Sequence, residues 1–231
     1  MSEPLVLVPG TMCDARLFAP QVARFSAERA VHVACVAQHN RIEEMASDLL
    51  TSAPQRFALA GHGMGGIVAM EVLRRAPDRV SRVALMDTNP LAETPEMAAA
   101  REPQMARVKA GKLEDVMGEE MKPAYLAPGP GRPAVLRTMM DMALSLGPDV
   151  FLRQSRALQR RRDQQATLAR TRVPALILCG EHDSLCPIQR HEVMAELMPA
   201  AGLVVIENAG HLPTLENPDE TGDALADWLH R

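Results

Sequence analysis

Leu59-Ala60-Gly61-His62-Gly63-Met64-Gly65-Gly66 decides how the chain reads. The stretch leaves an apolar run at residues 57–60, which has strand character, and opens a helical pattern at residues 67–75, stopped by Pro77. A strand that turns into a helix through so many glycines needs a tight turn. Gly61 and Gly65 let the two backbones approach without Cβ clashes. The central residue, Gly63, is then thrust out at the carboxyl edge of a sheet, the edge where open α/β folds bind ligands.

Outward from this turn, short apolar runs alternate with amphipathic stretches. Strands are expected at residues 5–8, 31–36, 57–60, 80–86, 175–179 and 203–206. Helices are expected at 14–25, with Asp14 as N-cap, and at 41–51, 67–75, 187–197 and 218–229. Asn217 suits the N-cap of the last, with Pro218 at its first position. The alternation implies an α/β fold: a mainly parallel sheet covered by helices on both faces. From about 91 to 171 only helical patterns occur, at 95–110, 113–121, 134–146 and 150–168. Pro123, Pro128-Gly129-Pro130-Gly131 and Gly147-Pro148 punctuate them. This is a helical cap over 91–171, inserted into a core made of 1–90 and 172–231.

Composition sets bounds on function. The 231 residues suit one domain, 47% are hydrophobic and 23% charged, and the net charge of −4 argues against nucleic-acid binding. No apolar run approaches the roughly 20 residues of a membrane span. Met1-Ser2-Glu3-Pro4 has no basic region, so residues 5–8 read as a strand and not as a signal peptide. Cys13, Cys35, Cys179 and Cys186 match no zinc or redox spacing; we expect reduced thiols and a cytoplasmic protein. Cys35 and Cys179 fall in or at the end of apolar runs. Aromatics are only 3% while Met reaches 15 residues, so a cavity would be lined by Met, Leu and Ala.

Residues 59–66 resemble the nucleophile elbow of α/β-hydrolases, Gly-x-Ser-x-Gly, in its strand-turn-helix setting. Three further stretches follow the family's order. Cys179-Gly180-Glu181-His182-Asp183 leaves a strand, and Asn208-Ala209-Gly210-His211-Leu212-Pro213 leaves the last one. Val8-Pro9-Gly10-Thr11-Met12 resembles the oxyanion loop, with Pro9 where the family commonly has His. The resemblance spans residues 5–213. It implies an esterase-type hydrolase with Asp183 and His211 as acid and base, and Thr11 and Met64 N–H groups as oxyanion donors, Met12 being close to that role. It implies no metal or organic cofactor. The partner is a small to medium apolar ester, with neither nucleic acid nor membrane.

Gly63 breaks the pattern, because it has no Oγ. One reading is a serine replaced in an otherwise working carboxylic-ester hydrolase; the retained acid, base and oxyanion loop favour it. Another is a carbon–carbon hydrolase or lyase of the same fold. A third is a natural ligand-binding protein with no catalysis. Haloalkane dehalogenation would want Asp at this position.

Other residues carry competing readings. His62 either contacts substrate or packs against the sheet, and packing is the expectation. Met12, Cys13 and Met139 are candidate pocket residues; Cys186 is a weaker one. Met97, Met105, Met140 and Met142 are expected to pack within the cap. His182 reads as a loop residue, and His32, His39, His191 and His230 as surface or helix-edge residues. Arg160-Arg161-Arg162, with Arg153 and Arg156, is expected to be a solvated helix face, an acidic ligand being the sharper alternative. Glu207 is a less suitable acid than Asp183.

Overall fold

The apolar runs form one sheet of six parallel strands among the described residues: β1 Leu5–Val8, β2 Val31–Val33, β3 Phe57–His62, β4 Val80–Met86, β5 Ala175–Gly180 and β6 Ala201–Ile206. Their order is β2-β1-β3-β4-β5-β6 in this computed structural model, which describes residues 2–120 and 125–230. The order reverses direction at β1, so the loops after β1 and β3 face one another across a crevice at the carboxyl edge.

Side chains alternate between two apolar layers. Val6, Val8, Leu59, Val83, Leu85 and Ile177 share one cluster; Leu5, Leu7, Ala60, Ala84, Leu176 and Leu178 share the other. A parallel sheet buried on both faces needs such continuous apolar strands. The first layer packs under α2 (Ile42–Ser52), α3 (Met64–Arg75) and, beyond the cap, α9 (Ile188–Leu197), through Met45, Val68 and Met194. The second is covered by α1 (Ala19–Phe25) and α11 (Pro218–His230), with Phe25 and Trp228 buried. Asp14 accepts from Arg16 N, but what it caps is a short 3-10 turn, Ala15–Phe18, that leads into α1.

Between β4 and β5 run α4 (Pro95–Lys109), α5 (Leu113–Glu120), α6 (Arg132–Leu146), α7 (Pro148–Gln159) and α8 (Gln165–Arg170). Met121 and Pro123 lie outside the described residues. The single helix expected over 150–168 is two. Gln164 N donates to Pro90 O at 2.7 Å, and its side-chain amide donates to Glu71 Oε2 at 2.9 Å. These long-range bonds hold the chain in a non-helical break where helical periodicity alone would continue it. They tie the end of the inserted stretch to its beginning, and Leu168 of α8 joins the sheet's first layer. Two other expectations are corrected. Strand β2 ends at Val33, leaving Cys35 exposed, and a short α10 (Pro213–Glu216) precedes α11.

Candidate active site

The turn after β3 has the shape its glycines anticipate. A Cβ on Gly65 would lie 2.0 Å from Val8 O, and one on Gly61 would lie 2.3 Å from Gly65 O, so both positions exclude any side chain. Gly63 has φ +53° and ψ −117°, in the region L-residues rarely adopt. Here the space is open. A Cβ would meet His211 Nε2 at 3.6 Å, Gly10 Cα at 3.7 Å and Asp87 O at 3.9 Å. The turn is held by Gly63 N donating to Met86 O at 2.9 Å and Thr88 Oγ1 donating to Gly63 O at 2.7 Å.

His211 Nδ1 donates to Asp183 Oδ2 at 2.9 Å. Asp183 is buried, and its Oδ1 accepts Leu185 N and Cys186 N, each at 2.9 Å. Burial alone would raise the Asp183 pKa, but the charge and hydrogen bond of His211, with the Cys186 amide, outweigh it and hold the carboxyl below its ordinary value. With Nδ1 engaged, Nε2 is the ring atom that faces position 63. The loop is fixed from the cap side as well: His211 N donates to Tyr125 O at 2.7 Å, while Glu216 bridges Leu212 N and Ala127 N at 2.9 and 2.7 Å.

Thr11 and Met64 both line the cavity in front of Gly63. Met64 opens α3, where a backbone N–H has no helical partner. Met12 is separated from this pair. Its N–H is taken by the buried Gln154 Oε1 at 2.8 Å, and its side chain packs among Met105, Val108 and Phe151 of the cap. As a candidate pocket residue it is therefore misplaced: its left-handed backbone, φ 53°, turns it up into the cap and away from the cavity.

His62 is 1% exposed, yet it borders the cavity beside Gly63. Its Nε2 donates to His211 O at 2.6 Å, and its ring meets the His211 ring edge-on at 5.0 Å. Burial, then the neighbouring His211, lowers its pKa to about 3, so the ring is neutral and braces the His211 loop. Cys13, Met139 and Cys186 do line the cavity; burial pushes the Cys13 thiol up to about 12. Met97 and Met117 line it too. Asp183, Cys186 and His211 offer potential ligand atoms within 4.8 Å of one another, but Asp183 and His211 are turned on each other and burial keeps the Cys186 thiol protonated, which suits proton transfer better than a metal.

Two buried groups at the site went unrecognised in the sequence. Asp87, just after β4, has φ 46° and is completely buried. Its Oδ1 accepts Gly180 N at 3.0 Å, while Oδ2 makes no hydrogen bond and lies 4.0 Å from His62 Nε2. Burial, then the Asp183 charge, raises its pKa well above the ordinary value. Its place at a strand's carboxyl end was the one available signal. His191 is the second, and it corrects the surface expectation. It is fully buried, accepts Thr88 N at Nε2 at 3.2 Å and faces Pro187 O with Nδ1. Burial lowers its pKa to about 4. The basic run is also corrected: Arg161 is only 9% exposed and lines the cavity, whose volume is about 240 Å³.

Known proteins bear on this geometry. A pimeloyl-[acyl-carrier protein] methyl ester esterase of Aromatoleum aromaticum is 28% identical over 203 residues, covering 80% of this chain and 79% of that protein. A putative carbamate hydrolase of Pseudomonas savastanoi pv. phaseolicola is 27% identical over 195 residues, covering 82% and 75%. A solved thermophilic esterase from Thermogutta terrifontis superposes with a TM-score of 0.92 at 28% identity, over 100% of this chain and 90% of that one. No helix among the described residues is long and apolar enough to cross a membrane. The fold, the site geometry and these relatives agree: the chain belongs to the alpha/beta hydrolase family, whose model matches residues 5–224.

Proposed function

We propose that the site is that of a carboxylic-ester hydrolase working through an acyl-enzyme, with the nucleophile's oxygen removed at Gly63. One observation carries the reading. The space beside Gly63 is kept open at 3.6 Å from His211 Nε2, while the glycines on either side are packed to contact. A binding protein has no need of a vacant side-chain position aimed at a histidine that is itself paired with a buried carboxylate. The related esterases support ester chemistry.

With a serine hydroxyl in that space, the oxygen would attack the ester carbonyl while His211 Nε2 takes its proton. The Thr11 and Met64 N–H groups would hold the oxyanion, leaving Met12 N–H to Gln154. His211 would then protonate the leaving alcohol, and a water, deprotonated by His211, would release the acid. Asp183 holds the ring in the tautomer that bares Nε2. The chain as it stands binds ester and scarcely turns it over; loss of the nucleophile in such sites costs on the order of 10⁶ in kcat. The test is Gly63→Ser against a panel of activated short-chain esters. Hydrolysis that disappears again on adding His211→Ala supports the reading, and an inert Gly63→Ser protein overturns it.

A further inference from the structure

The cavity has a charged wall that a hydrocarbon ester would not require. Arg161 sits in the break between α7 and α8, where Gln164 pins the chain to Pro90 and Glu71. It is nine-tenths buried and lines the cavity that contains Gly63 and His211. Its Nε is buried with no hydrogen-bond partner, and its Nη2 reaches only Asn89 Oδ1, at a long 3.4 Å. Asn89 Oδ1 is shared with Leu91 N.

The charge of Glu93 reaches Arg161, but no neighbouring carboxylate pairs with it. Glu93 also lines the cavity, but both of its oxygens are taken by Arg101, with Nη2–Oε1 at 2.6 Å and Nε to the two oxygens at 2.9 and 3.1 Å. Among the described residues that line the cavity, Arg161 is the cation left without a carboxylate. A guanidinium presents a planar fork of donors matched to a carboxylate, and burying it unpaired is costly. A free guanidinium edge in a substrate cavity therefore marks where an anion belongs.

We propose that the cavity takes an ester that also carries a free carboxylate, a half-ester of a short dicarboxylic acid, with that carboxylate held by Arg161. This rests on the ester-hydrolase reading above and adds the substrate's class to it. The ester carbonyl then lies in front of position 63 and the Met64 and Thr11 amides. The Met-lined space around Met97, Met117 and Met139 takes the chain between the two ends.

The chain as it stands allows a binding test free of turnover. Monomethyl succinate, glutarate and adipate are titrated into it by calorimetry, beside the methyl esters of the monocarboxylic acids of equal length. At least tenfold tighter binding of one half-ester, weakening as salt is raised, is expected. Arg161→Gln should abolish the preference and Arg161→Lys should recover part of it. Because removing a buried Arg can unfold the chain, the same half-esters are also tested for raising the Tm of the unaltered protein. Equal affinity for charged and neutral esters, a preference that survives Arg161→Gln in a folded protein, or no Tm shift with any half-ester overturns the proposal. Gly63→Ser separates the two levels. If it is inert on all esters while the Arg161-dependent preference stands, the hydrolase reading fails and the carboxylate site remains. If it hydrolyses neutral esters at least as well as half-esters, the carboxylate site fails and the hydrolase reading remains.

Discussion

His211 Nε2 stands 3.6 Å from the point where a side chain on Gly63 would begin. An added hydroxyl therefore enters hydrogen-bonding range by side-chain rotation alone, without movement of the loop. Gly63→Ser should raise hydrolysis of an activated ester by several orders of magnitude over the present chain. It should also lower stability by about 1–3 kcal/mol, because φ +53° strains any residue with a Cβ. Gly63→Ala should show the same loss of stability and no gain in rate. Ester assays and denaturant melts of the three proteins check both parts.

Asp183 and Asp87 are adjacent buried carboxyls with opposite expected behaviour. In the Gly63→Ser background, Asp183→Asn removes the acceptor that orients His211 Nδ1, and kcat should fall by on the order of 10⁴. Asp87→Asn keeps an acceptor for Gly180 N, so it should retain most of the activity. Its signature lies in stability. A carboxyl whose folded pKa is raised favours folding below its unfolded value near 3.8, and that contribution is lost as pH climbs towards the raised folded value. Asp87→Asn escapes this loss, so its Tm relative to the parent should rise as pH increases from about 3.8.

His62 and His191 are buried neutral, with folded pKa values lowered to about 3 and about 4. Unfolded imidazoles take protons from pH 6.5 downward while these two do not. Their contribution is present above pH 6.5 and is lost as pH falls through the folded values. The protein should therefore begin to lose stability below pH 6.5, earlier than carboxylate protonation alone would give. His191→Gln should shallow that slope. Melting curves between pH 7 and 4 measure it, and an unchanged slope counts against a neutral His191.

Gln154 joins the cap to the first strand's loop, accepting Met12 N–H at 2.8 Å and donating to Val36 O at 3.2 Å. Gln154→Leu leaves both backbone groups buried and unpaired, at a cost of about 1–3 kcal/mol for each. The variant should melt lower and expose the loop of Thr11 to faster amide exchange. In the Gly63→Ser background it should lower kcat more than it raises KM, since the freed loop no longer presets an oxyanion donor.

Much of this protein is local and therefore legible in the chain. Strand alternation, the glycines at 61, 63 and 65, and the placement of Asp183 and His211 after strands all depend on residues a few positions apart. Backbone sterics settle such features whatever surrounds them. What tertiary structure alone decides involves partners far apart in sequence. Gln164 breaks a helix that periodicity would continue because Pro90 and Glu71 await it across the fold. Met12 gives its N–H to Gln154, a partner 142 residues away that no local pattern announces. The Asp87 pKa is raised and His191 is buried because of what β5 and the loop after β4 place beside them. Arg161, one of three consecutive arginines, is turned inward while its neighbours are not: burial is a property of the assembled cap and sheet, and the sequence carries no local mark of it.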